Sequence, residues 1–210
     1  MLIHILRSLA LIFSFFVFTI LFFILFQSFL YAPFYQGDYV NHLTFMNYIN
    51  AFRDREFIRA FLNTFIVAAI MSLAIPISIF LSLAIHKFNI YGARIIEPLI
   101  ITPMFISPLI WGFSWIYAYG KAGLLPNLLG ELYGLIPTGI IASFAYVPHT
   151  YAIISSYLLN IDVSYEEVAR IHGASILNTL IRVLIPLLRP AIIYSAILLI
   201  ILGVEQFGIP

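Results

Sequence analysis

Cysteine is missing from this chain altogether, which excludes disulfides, thiolate metal sites and cysteine nucleophiles. Charge is nearly as scarce. Only 9% of the 210 residues are Asp, Glu, Lys or Arg, against about 25% in an ordinary soluble domain, and a surface made from so few charges cannot face water on all sides. The 10 basic and 9 acidic residues leave a formal charge of +1. That balance provides no basic patch for nucleic acid and no acidic tail for a cationic partner. A phosphate-binding G-x-x-x-x-G-K-[ST] loop is also lacking, because Gly120-Lys121 is followed by Ala122 and has no earlier glycine at the required spacing. Any nucleotide hydrolysis linked to this chain therefore falls to another subunit. No pattern in the sequence calls for a metal or a cofactor.

What is present is apolar. Hydrophobic residues make up 63% of the chain and aromatic residues 17%, with 20 Phe and 13 Tyr, a composition suited to lipid-facing surfaces and interfacial belts. Five stretches approach the ~20 residues that cross a hydrocarbon core of ~30 Å: Leu9 to Phe29, Ala60 to Ile85, Ile95 to Tyr119, Ile136 to Leu159 and Leu187 to Gly203. The first is too long for the apolar core of a signal peptide, ~7–15 residues, and no small-x-small cleavage pattern follows it. Tyr31, Phe34 and Tyr35 then suit an aromatic anchor at the far interface. The expected fold class is all-α, a polytopic membrane helix bundle. Its expected parts are an N-terminal transmembrane helix (1–31), an external polar segment (32–59) and a core (60–210) that carries a cytoplasmic loop (160–186). Pro76, Pro103, Pro108 and Pro148 lie inside the apolar stretches, where they favour kinks or breaks.

Placing the N-terminus in the cytoplasm puts Arg7, Lys87, Arg94, Arg170, Arg182 and Arg189 inside and Arg53, Arg55, Arg59 and Lys121 outside. This is the direction of the positive-inside bias, in modest form.

One cytoplasmic segment is not loop-like. Ser164 and Glu167 have the spacing of a capping box, which predicts a short helix starting there, and Gly173 is placed to end it in a left-handed conformation. Tyr165, Val168, Ala169 and His172 would share a face, with Glu166 and Arg170 paired on the exposed side. Ser175 is the expected N-cap of a second helix that Pro186 stops. Two helices at a glycine turn form a rigid projection that another protein can grip.

The residues Glu167-Val168-Ala169, three more, Gly173, nine more, then Val183-x-Ile185-Pro186 resemble the EAA loop of ABC importer permeases. The family pattern is E-A-A, three residues, G, nine residues, I-x-L-P. Val168, Val183 and Ile185 depart from it, each by an apolar replacement. The resemblance extends over about residues 43–210 and takes in Asn63-Thr64 and Pro186-Leu187-Leu188-Arg189-Pro190. It implies a type I (MetI-like) importer permease in the cell inner membrane. The implied partners are cytoplasmic ABC ATPase subunits, a second permease subunit or half, and an extracytoplasmic solute-binding protein. It also implies ATPase coupling through Glu167, Ala169, Gly173 and Pro186, with the helix from Tyr165 to Gly173 lying in a groove of the ATPase. The family continues with a further span beyond Pro210, so a fragment or the first half of a fused double permease is expected. The ending Glu205-Gln206-Phe207-Gly208-Ile209-Pro210 resembles the iron(III) branch, with polyamine and phosphonate permeases nearby.

Each of these residues also has a plainer role open to it. Glu167 can cap its own helix and Gly173 can be an ordinary helix end. His149 and Glu205 are candidates for the translocation pathway because ionisable groups at membrane depth are costly unless they face protein or water. Helix packing for His149 and an exposed interfacial position for Glu205 are the alternatives. Glu97 is expected to snorkel near Arg94. A membrane-embedded enzyme or assembly factor, or a secondary transporter, are the competing functions; the first lacks a shared motif among His149, Glu97 and Glu205, and the second lacks inverted repeats.

Overall fold

The computed structural model describes residues 2–30, 43–88, 90–120, 123–125 and 134–205, with side chains from residue 6 onward. The chain divides into two compact units, Met1–Ala60 and Phe61–Pro210.

In the first unit, α1 (Leu2–Ser28) is followed by α2 (Met46–Arg53). The last carbonyls of α1 have no partners within the helix, and Asn47 meets this need by donating from Nδ2 to the Ser28 carbonyl (3.0 Å) and to the Leu30 carbonyl (2.7 Å). Phe29 stacks edge-on against Phe45 at 5.3 Å. The segment expected to be an external polar loop thus contains helix α2, and α3 (Arg55–Met71) starts within it as well.

The second unit is organised by the pairing of α4 (Ala74–Lys87) with α7 (Leu135–Leu159). Lipid gives apolar helices little reason to prefer one another over acyl chains, so small residues and interhelical hydrogen bonds decide which faces meet. Ser78 and Ser82 on α4 face Thr150 and Ser155 on α7, and all four are buried. Ser78 Oγ donates to the Val147 carbonyl (3.1 Å) and shares a hydrogen bond with Thr150 Oγ1 (2.6 Å), while Ser155 Oγ donates to Ser82 Oγ (3.0 Å). Around this seam pack Met71, Ala142, Ile154, Leu158, Leu184, Leu188, Ala191 and Leu199.

Close approach continues on the other sides of the unit. A Cβ on Gly139 would lie 2.6 Å from Ile70 Cβ, and one on Gly203 would lie 2.7 Å from Ala68 Cβ. Gly203 is near the end of α10 (Arg189–Val204), so both α7 and α10 use glycine to reach α3.

Five apolar stretches with proline kinks or breaks were expected, and the structure shows which of them bend. Among the described residues, Leu6–Ser28 and Arg55–Lys87 are long and apolar enough to cross a membrane, and two further crossings exist only if each of two bent pairs counts as one. In the first pair, Ala93–Phe105 and α6 (Pro108–Tyr119) meet at 99°. Pro103 and Pro108 cause the break: neither can donate to a helical carbonyl, and Ser107, preceding a proline, is extended at ψ 138°. The second pair, α9 (Ile176–Leu187) and α10, is bent by 61°. The 25 residues of α7 reach about 37 Å, long enough to cross, and its Ser143, Tyr146, Thr150, Tyr151 and Ser155 are buried at the centre of the unit. Pro148 leaves α7 continuous, and Pro76 sits in the first turn of α4, where its missing N–H costs nothing.

Because Gly139 fits against Ile70 without room for a methyl group, Gly139→Ala should lower thermal stability in detergent, by about 1–3 kcal/mol. Adding Ile70→Ala in the same chain should restore most of that loss, measured by thermal denaturation of the purified protein.

Candidate functional site

The chain leaves α7 at Asn160 and turns at once into α8 (Ser164–Ile171). The turn is fixed by Asp162, whose Oδ1 accepts from the Ser164 backbone N–H at 2.9 Å. Hydrogen bonds from the Ser164 N–H and hydroxyl hold the Asp162 carboxyl below its ordinary value. The turn is therefore intact at neutral pH and loosens only as pH falls through that lowered value. The capping box expected at Ser164 and Glu167 does not form: Val163 is the N-cap residue and its own side chain cannot cap the helix. Asp162, one position earlier, has taken that role because its shorter carboxylate reaches the first free N–H. Glu166 and Glu167 in the first turn and Arg170 in the last match the helix dipole.

The end of α8 is a Schellman motif. Gly173 adopts φ +79°, its N–H donates to the Arg170 carbonyl (2.9 Å), and the Ala174 N–H donates to the Ala169 carbonyl (3.0 Å). The Val168 carbonyl accepts from the His172 backbone N–H (3.1 Å) and lies 2.8 Å from His172 Nδ1. Ser175 then caps α9, its Oγ accepting from the Asn178 N–H at 3.3 Å. The glycine turn and the second N-cap are thus as the sequence predicts. Tyr165, Val168, Ala169 and His172 do share a face, and with Val183 and Ser164 they line a shallow groove between α8 and α9. Ile171, 82% exposed, Ile176 and Leu177 project away from the body.

Three expectations fail here. Glu166 is not on the exposed side with Arg170: it pairs with Lys87 at the C-terminus of α4, and the two side chains are 13% and 18% exposed. Glu97 does not snorkel beside Arg94 but accepts from Tyr151 OH (3.3 Å) and lies 3.5 Å from His86 Nε2. Pro186 does not stop its helix, which runs one residue further to Leu187. A π turn over Leu180–Leu184 precedes it and accommodates a residue that cannot donate. The break comes at Leu188, and Pro190 is the second residue of α10. The Lys87–Glu166 and His86–Tyr151–Glu97 contacts were missed because nothing local in a sequence pairs residues 79 or 54 positions apart. The available signal was only that both loops were assigned to one side.

Of the pathway candidates, His149 is half-buried on α7, its Nδ1 is enclosed with no hydrogen-bond partner, and its ring lies 5.3 Å from that of Tyr146. Glu205 is exposed just past α10. No hydrogen bond or ion pair joins them among the described residues, and residues 206–210 lie outside those residues.

Residues 74–210 match the family described as binding-protein-dependent transport system inner membrane component. The chain belongs to that family. The permease is 26% identical over 153 residues to the molybdenum transport system permease protein ModB of Haemophilus influenzae, covering 70% of this chain and 67% of that protein. It is 27% identical over 200 residues to the osmoprotective compounds uptake permease protein GgtC of Synechocystis, covering 85% and 71%. It spans less of others, 46% of the Mycobacterium tuberculosis ModB. A bacterial ABC transporter involved in import of the acidic polysaccharide alginate has the same fold: TM-score 0.65 at 19% identity, covering 96% of this chain and 77% of that one.

Ser175→Ala should destabilise the turn into α9 by about 1 kcal/mol, seen as faster amide exchange at Asn178. Ser164→Ala should cost less, the reverse of what a capping box at Ser164 requires.

Proposed function

We propose that this permease is the membrane subunit of an ATP-driven importer and couples to a separate ATPase through α8 and the turn at Gly173. The observation that carries this reading is the rigidity of the projection. Its two helices are joined by a Schellman motif and a serine cap, and its apolar residues Ile171, Ile176 and Leu177 are exposed. Family membership and the transport roles of the relatives support the importer reading. A solute-binding protein on the opposite face and a second permease subunit or half complete the proposed assembly. Within the projection, Gly173 makes the turn, Ala169 supplies a carbonyl to it and a small surface to the groove, Glu167 is an exposed contact, and Pro186 leads into the bend at Leu188. His149 and Glu205 are proposed to line the pathway.

The N-terminus is placed in the cytoplasm. The Lys87–Glu166 contact supports the relative part of this topology, because it requires the end of α4 and α8 to share one membrane face. Iron(III), expected from the last residues, draws no support from the relatives named above, whose solutes are molybdenum and osmoprotective compounds. The proposal therefore stops at a solute delivered by a binding protein.

Gly173→Val is the direct test of coupling. A Cβ at Gly173 meets no atom within 4 Å, so its cost is backbone strain alone, about 1–2 kcal/mol. The variant should insert normally but lose ATPase association and transport, and Gly173→Asn, which tolerates the left-handed region, should retain more of both. Wild-type transport by Gly173→Val with the ATPase firmly bound rules out the coupling assignment.

Topology has its own test. Since there are 0 native Cys, Asn50→Cys should react with an impermeant thiol reagent added to intact cells and Asn178→Cys should not. Labelling of Asn178→Cys from outside inverts the topology.

A further inference from the structure

A short helix held only by the chain at its two ends can still roll about its own axis. The chain fixes α8 through Asn160–Val163 on one side and the Gly173 turn on the other. The groove between α8 and Val183 of α9 is mostly apolar, and apolar surface has no preferred direction of contact. Among the described residues one directional contact joins α8 to a membrane helix other than through these neighbours: the ion pair of Glu166 with Lys87. It lies off the helix axis and is mostly shielded from water, where a charged hydrogen bond is stronger and less screened than at a surface.

The other end of this contact is equally anchored. Lys87 is the last residue of α4, and the preceding His86 stacks on Tyr151 of α7 with ring centroids 6.4 Å apart. Tyr151, fully buried, donates to Glu97 of α5 (Ala93–Ile101). Movement of Lys87 is therefore movement of α4 and of its buried seam with α7, through Ser82–Ser155 and Ser78–Thr150.

We propose that the Lys87–Glu166 pair is a strut that sets the roll of α8 and passes its displacement to α4, making Lys87 and Glu166 positioning residues for ATP-coupled transport. The strut rests on the coupling function proposed above. It differs from docking itself, because neither side chain needs to touch the ATPase.

The test is a charge-swap cycle of Lys87→Glu, Glu166→Lys and the two combined, with Lys87→Arg as the conservative variant. The first readout needs no partner: the distance distribution between spin labels at Tyr91→Cys and Ile171→Cys, both exposed positions, in the full chain. Each single swap should broaden it, and the double swap and Lys87→Arg should narrow it again. The second readout uses the permease assembled with its ATPase. Single swaps should retain ATPase capture while binding-protein-stimulated hydrolysis falls about fivefold or more, and the double swap should recover most of it. Unchanged distances in the single swaps overturn the strut, as does failure of the double swap to recover either readout. Full stimulation in single swaps whose distances have broadened reduces the pair to a structural contact and overturns the proposal. By contrast, a wild-type chain that captures no ATPase at all defeats the coupling function itself, an outcome separate from any result of the swaps.

Discussion

The pairing of α4 with α7 is the constraint on which the second unit depends. In hydrocarbon no water is available to satisfy a stray hydroxyl, and lipid is as good a neighbour for a leucine as another helix is. Ser78 with Thr150 and Ser82 with Ser155 resolve both difficulties together, since each hydroxyl finds its partner only when these two faces meet in one register. The register then determines what lies at the end of the seam. Tyr151 is brought to His86, Glu97 to both, and Lys87 is left pointing at α8.

Proline explains where the helices stop being straight, but position decides the effect. Pro76 falls in a first turn and costs nothing, Pro148 is absorbed within α7, and Pro103 with Pro108 produces a 99° corner. At that corner Ser107 Oγ accepts from the Leu109 N–H at 3.3 Å, meeting locally a need that lipid cannot meet. Pro186 follows the same logic by another route, with a π turn ahead of it and the bend displaced to Leu188.

Much of this was legible in the sequence, and what was legible had a local cause. Helix content, the glycine turn and the cap at Ser175 follow from residue types within a few positions of each other, and the apolar face of α8 follows from helical periodicity. What failed was nonlocal or competitive. Ser164 and Glu167 fit a capping box on spacing, yet Asp162 reaches the same N–H first. Glu166 and Arg170 fit a helical pair, yet Lys87, 79 residues away, offers a partner with less exposure to water, where an ion pair is stronger than on a solvated face. In the third apolar stretch Pro103 and Pro108 led to the expectation of a kink or break, but hydropathy registers apolar content and not the direction of the chain, so the 99° corner was not legible.

These errors point the same way, towards a projection more firmly built into the membrane unit than a surface loop would be. A loop with free φ and ψ would absorb a push from the ATPase as local rearrangement. A push applied at α8, as proposed, would meet a helix whose start is pinned by Asp162, whose end is pinned by the Schellman bonds and whose side is pinned by Glu166. Its three outlets are α7 through Asn160, α4 through Lys87, and α10 through α9 and the bend at Leu188. The first two converge on the hydroxyl seam, so a displacement entering there reaches α4 and α7 as a pair and preserves their hydrogen bonds. The third enters at a bend of 61°, where the helical ladder is already interrupted. An angle change is cheapest at such a point, and the compliance of the unit accordingly belongs between α9 and α10 rather than within the seam.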